Sequence, residues 1–100
     1  MKNKIINLLL KIKDRPGLYL GEKSLPKLRS FINGYIYAMK HENGLDCGEE
    51  VYYDFNDWLN KKYNIINPIF WERSLRNMSI SDAFDLFYKE LDIYLKTIDV

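Results

Sequence analysis

One cysteine, one histidine, three prolines and five glycines in 100 residues set the first limits. Cys47 has no second cysteine to pair with, which excludes an internal disulfide and fits a reducing cytoplasm. With a single histidine, His41, and no Cys-x-x-Cys pair, no recognised metal-ligand spacing exists, so no metal is expected. There is no phosphate-binding loop ending in Gly-Lys-Ser/Thr and no Gly-x-Ser-x-Gly elbow. His41 and Cys47 fall in the same expected loop, whereas a Cys-His nucleophile pair normally meets across a fold and needs a third orienting group. His41 instead reads as an exposed residue at a helix end, where it complements the dipole. No enzyme activity and no cofactor are expected. A long apolar run is also missing: the stretch over residues 5–12 is broken by Asn7 and Lys11, too short and polar to span a bilayer, and no small-residue cleavage site follows it. The expected location is the cytoplasm, with no membrane partner.

What is there is the material of one small core. Hydrophobic residues make up 47% of the chain, charged residues 29% and aromatics 15%, with eight tyrosines. A single domain over residues 1–100 can bury roughly two-thirds of its unfolded surface without metal or disulfide staples. The apolar spacing is helical almost throughout. Ile5, Leu8, Leu9 and Ile12 form a stripe at steps of three and four and predict a helix over 4–13. Arg15-Pro16-Gly17 stops it, and the alternation of Leu18-Tyr19-Leu20 permits an extended connector in which both leucines pack inward. Ser24 is a good N-cap for a helix over 25–40 carrying Leu25, Leu28, Ile32, Tyr35, Ile36 and Met39, with Pro26 in its first turn. Gly34 inside this helix is expected to mark a close approach by another element, and Gly44 to end it. A helix over 49–63 buries Val51, Tyr52, Phe55, Trp58, Leu59 and Tyr63. Asn67-Pro68 opens a shorter one over 69–77 with Phe70 and Trp71. Ser79 with Asp82 three residues on starts the last helix, in which Phe84, Phe87, Leu91, Tyr94 and Ile98 recur at three and four. Asp85–Lys89 and Asp92–Lys96 are its expected i,i+4 pairs. The fold class is all-α, a compact bundle of about five helices.

The net charge of +1 hides a segregation. Residues 1–40 hold nine Lys/Arg against two Asp/Glu, a net of +7. Residues 41–60 hold six acids (Glu42, Asp46, Glu49, Glu50, Asp54 and Asp57) and no Lys or Arg, a net of −6. Residues 61–100 hold six of each sign. On the helix over 49–63, Glu50, Asp54 and Asp57 recur at four and three and share a face, with Glu49 and Tyr53 on the adjoining stripe. Two readings remain open at this level. In one the acids are a solvated face, softened by the helix dipole, by an Asp57–Lys61 pair, or by the basic first forty residues folding against it. In the other they dock a basic partner: carboxylates imitate nucleic-acid phosphates and steer the encounter, and Tyr53 is an aromatic anchor. A separate reading takes Lys2, Lys4, Lys11, Lys13, Arg15, Lys23, Lys27 and Arg29 as contacts to nucleic-acid phosphates, though no helix-turn-helix, zinc-finger or RNA-recognition signature accompanies them.

Arg15-Pro16-Gly17-Leu18-Tyr19-Leu20-Gly21 is similar to the Arg-Pro-Gly-Met-Tyr-Ile-Gly segment of the DNA gyrase B subunit. The helix that follows lacks that family's glutamate and asparagine and the glycine-rich lid motifs, so the likeness implies a similar turn and not ATP hydrolysis. Over most of its length the chain resembles a family of small bacterial proteins. The pattern is an Arg-Pro-Gly-aromatic-Leu-Gly turn (residues 15–21), a Ser-Leu-x-x-Leu-x-x-Phe-x-x-Gly-Tyr helix (residues 24–35), a Phe-x-x-Trp-Leu helix (residues 55–59), and an acidic and aromatic C-terminal helix (residues 82–94). The resemblance implies an immunity protein of contact-dependent growth inhibition or a related bacterial toxin system. It binds and neutralises a cognate protein toxin, with a basic nuclease domain as the expected partner. The matching positions are mainly core and turn residues, so they carry no contact residues over. The expected contacts come from the acidic helix: Glu49, Glu50, Tyr53, Asp54 and Asp57. The alternative function is a small nucleic-acid-binding accessory protein using the basic N-terminal part.

Overall fold

Asn3 caps the first helix: its side-chain oxygen accepts the Ile6 N–H at 3.0 Å, satisfying one of the donors that every helix start leaves open. The computed structural model describes residues 3–64 and 78–98. Helix α1 (Lys4–Asp14) buries Ile5, Ile6, Leu9 and Ile12. A one-turn helix α2 (Pro16–Leu20) follows, then α3 (Leu25–Ile36), a π-helical turn (Tyr37–Glu42), α4 (Glu49–Lys62) and α5 (Ile80–Thr97). Among the described residues there are five α-helices and no strand, and none of those helices is long and apolar enough to cross a membrane. The fold is the all-α bundle that the periodicity predicts. The expected helix over 69–77 lies outside the described residues.

The core joins one face of each long helix. Leu25, Leu28, Ile32 and Ile36 of α3 meet the α1 stripe and the inward side of α5, where Ala83, Phe84, Phe87, Tyr88 and Leu91 are buried. Phe55 of α4 is fully buried and lies 5.2 Å from Phe87 and 5.3 Å from Tyr94, ring centroid to centroid. Trp58 closes this cluster 5.4 Å from Tyr94. Much of the aromatic surplus therefore fills the α4–α5 contact, where rings bury large apolar areas and meet edge to face or tilted. Tyr88 also satisfies its hydroxyl inside the core by donating to the Leu9 carbonyl at 2.6 Å, which ties α5 to α1.

The structure corrects several local expectations. Residues 16–20 form a helical turn, not an extended connector, and Gly21 closes it at φ +84° with its N–H on the Gly17 carbonyl. In a helix, neighbours two apart point to different sides, so Leu18 and Leu20 cannot both face inward: Leu20 packs on the core, while Leu18 is 70% exposed. Helix α3 ends at Ile36, and the backbone continues as the π-helical turn to Glu42. Among the described residues, Gly34 has no neighbouring atom within 4 Å of where a side chain would begin, so none of the described elements approaches closely there. Tyr63 stands 42% exposed beyond α4. Asp85 reaches across to Lys23 at 2.7 Å instead of pairing with Lys89 along its own helix. Asp92–Lys96 does form, at 3.1 Å.

Candidate partner-binding site

The start of α4 is assembled from three parts of the chain. Gly48 is its N-cap residue at φ +80°, a left-handed conformation that favours glycine. The Asn3 side-chain amide donates to the Gly48 carbonyl at 3.2 Å, and Ile5 N–H donates to the Cys47 carbonyl at 3.0 Å. Asp46 accepts the Gly48 N–H at 2.8 Å. These bonds lock the loop before α4 against the N-terminus of α1, so the start of the acidic helix is fixed relative to α1.

Glu49 is drawn into this joint. It is 7% exposed, and its carboxylate takes Lys40 Nζ at 3.2 Å and the Cys47 thiol at 3.6 Å. Its own backbone N–H at the helix start, then the Lys40 and Cys47 hydrogen bonds, lower its pKa to about 2 against the opposing effect of burial. Lys40 is raised in turn, first by the hydrogen bond to Glu49 and then by its charge, with Tyr53 and Asp46 adding to the effect. Burial pushes the Cys47 thiol up, and the bond to Glu49 pushes it the same way. A buried thiol of raised pKa is the inert kind of cysteine. The His41 ring lies against Tyr37 at 5.3 Å.

The other four expected contacts do stand together on the surface. Glu50, Tyr53, Asp54 and Asp57 are all exposed on α4, with Tyr53 at 46%. Their inward neighbours Tyr52, Phe55 and Leu59 are buried, so the amphipathic spacing that sends those residues into the core turns the acids outward. Among the described residues, no cation lies within ion-pair distance of Glu50, Asp54 or Asp57, and no Asp57–Lys61 pair forms. Lys23 pairs with Asp85, Lys27 with Glu22 at 2.6 Å, and Lys40 with Glu49. At the far end of α4, Lys62 turns inward to the buried Glu90 at 2.9 Å and lies over the Trp58 ring.

Sequence reasoning did not single out the exposed apolar side chains that precede α4. Tyr37 is 57% exposed and Leu45 49% exposed, and Glu42 and Asp46 are exposed with them. Tyr37 lies off the α3 stripe, at the start of the π-helical turn, a local form often associated with functional sites.

Over 77 residues, 73% of this chain, the sequence is 36% identical to protein Ycf2 of Marchantia polymorpha. The chain spans 4% of the length of that curated relative. No protein-family model matches the chain, and no solved structure matches it.

Proposed function

We propose that this chain is an immunity protein of a contact-dependent growth inhibition or related bacterial toxin system. It binds a cognate toxin, a nuclease with a basic active site, and blocks that site with the acidic face of α4. One observation carries the reading: Glu50, Asp54 and Asp57 stand exposed around Tyr53 with no ion-pair partner among the described residues. Like charges at three- and four-residue spacing cost an isolated helix about a few tenths of a kcal/mol. That small penalty is offset when a cationic surface arrives, and the same field speeds the encounter. Tyr53 supplies a flat amphipathic side chain of the kind enriched among residues that dominate interface energetics. Inhibition by occlusion requires no chemistry from the inhibitor, only a rigid surface, which the joint between α1 and α4 supplies. The cytoplasm, where a nuclease toxin meets its substrate, is the compartment in which such a protein works.

The reading predicts a toxin reading frame beside this gene, and the test produces the toxin domain of that frame with and without the protein. Co-production protects the cells, and the two purify as a complex. The double variant Asp54→Lys/Asp57→Lys loses protection while keeping its helical content and thermal midpoint. Unchanged protection by the variant removes α4 from the interface. If the purified protein instead binds DNA or RNA in a salt-dependent way and forms no complex with the toxin domain, the immunity reading gives way to the nucleic-acid accessory role.

A further inference from the structure

We infer that the cleft between the end of α1 and the outer flank of α5 is a binding site for a small organic anion with a flat apolar body. The site is separate from the acidic face of α4 and does not depend on it. The cleft has a volume of about 670 Å³, within the range of pockets that hold small molecules. Its inner wall is apolar: Phe84 and Tyr88 are buried yet line it, and Ile93, 37% exposed, carries the wall outward. That wall is held in place. The Phe84 and Tyr88 rings lie 4.9 Å apart, centroid to centroid, and the Tyr88 hydroxyl is fixed on the Leu9 carbonyl.

Three lysines and two aspartates surround the mouth. Both carboxylates already have ammonium partners. Asp85 holds Lys23 at 2.7 Å, and Asp92 pairs with Lys96 one turn on, at 3.1 Å. Lys13, in the last turn of α1, and Lys89, on α5, are exposed. Among the described residues, no carboxylate lies within ion-pair distance of either. Two unpaired ammoniums beside an apolar wall supply the counter-charge for one anionic group, while the body of the ligand leaves water against the rings. Their long methylene stems let both head groups follow the anion without uncovering that wall.

The aspartates narrow the choice of anion. A nucleic-acid strand would bring successive phosphates past Asp85 and Asp92 and be repelled there. A single carboxylate, sulfonate or phosphate meets only the lysines it is placed against. The ligand is therefore a small molecule carrying one anionic group, not a polyanion.

Anilinonaphthalene sulfonate has this chemistry and is the probe, titrated into the full chain at physiological salt and followed by its own fluorescence. One saturable site is expected. Lys13→Glu/Lys89→Glu should weaken it about tenfold, because each reversal replaces an attraction by a repulsion of similar size. Lys4→Glu/Lys11→Glu makes the same change of net charge outside the cleft and should alter the affinity less than about twofold. Phenylnaphthylamine, the same rings without the sulfonate, should bind at least about tenfold more weakly. No saturable binding, equal weakening by the two double variants, or equal affinity for the neutral probe overturns the inference. Displacement of the probe by a single-stranded oligonucleotide more readily than by naphthalene sulfonate assigns the cleft to a polyanion and overturns it as well. Helical content and thermal midpoint are expected to stay unchanged in both double variants, as befits exposed positions, so that the probe reads the folded protein.

Discussion

Gly48 and Asn3 hold the geometry of the proposed surface from forty-five residues apart in sequence. A β-carbon at Gly48 would overlap the Asn3 side-chain amide, and the +80° φ adds backbone strain for any other residue. Gly48→Ala is expected to destabilise the protein by about 1–3 kcal/mol, measured as a lower urea midpoint at unchanged slope. Loss of only a few tenths would show that α4 is not anchored at this joint. Glu49 gives a pH test at the same scale. Its folded pKa of about 2 lies below the ordinary value of 4.5, so folding favours the ionised form. Its contribution is fully present above about pH 4.5 and is lost as the pH falls from there towards 2. The stability difference between the wild type and Glu49→Gln should therefore be constant near neutrality and shrink through that window. A difference independent of pH would mean that the Glu49 charge contributes nothing to the joint.

At the scale of elements, caps are the most local features and the most legible. Ser24 accepts the Lys27 N–H at 3.3 Å and Ser79 the Asp82 N–H at 3.0 Å, and both follow from a hydroxyl placed just before an apolar stripe. Ser79→Ala should lower stability by about 1 kcal/mol, seen as a shift in the denaturation midpoint. No shift would mean that the start of α5 is fixed by packing alone. The stripes of α1, α3, α4 and α5 were readable for the same reason: each spans at least three turns, so the period repeats often enough to be distinct. Helix α2, with five residues, contains little more than one period, and Leu18-Tyr19-Leu20 read equally as alternation. The π-helical turn was hidden because residues 37–42 continue the α-period stripe through Met39 while the backbone widens. Lys23–Asp85 was out of reach because its partners are 62 residues apart, whereas the i,i+4 rule sees only neighbours along one helix. The acidic face was legible as a stripe, but not the withdrawal of Glu49, which depends on Lys40 and Cys47 arriving from outside α4.

At the scale of the molecule, aromatic residues and charge divide between two roles. Phe55, Phe84, Phe87, Tyr88 and Tyr94 are buried and join α4, α5 and α1, while Tyr37 and Tyr53 stay exposed. Between the +7 and −6 segments Lys40 pairs with Glu49, while Glu50, Asp54 and Asp57 have no ion-pair partner among the described residues. A net charge of +1 therefore coexists with a local negative field, and it is the local field that governs an encounter within a Debye length of about 8–10 Å. The most direct measurement is the association rate constant of the protein with the proposed toxin domain, followed by stopped-flow fluorescence as salt is raised, for the wild type and for Asp54→Lys/Asp57→Lys. The wild-type rate should fall steeply with ionic strength, and the variant should associate at least about tenfold more slowly at low salt with a much flatter dependence. Equal rates and equal salt slopes for the two proteins would contradict the acidic face of α4 as the docking surface.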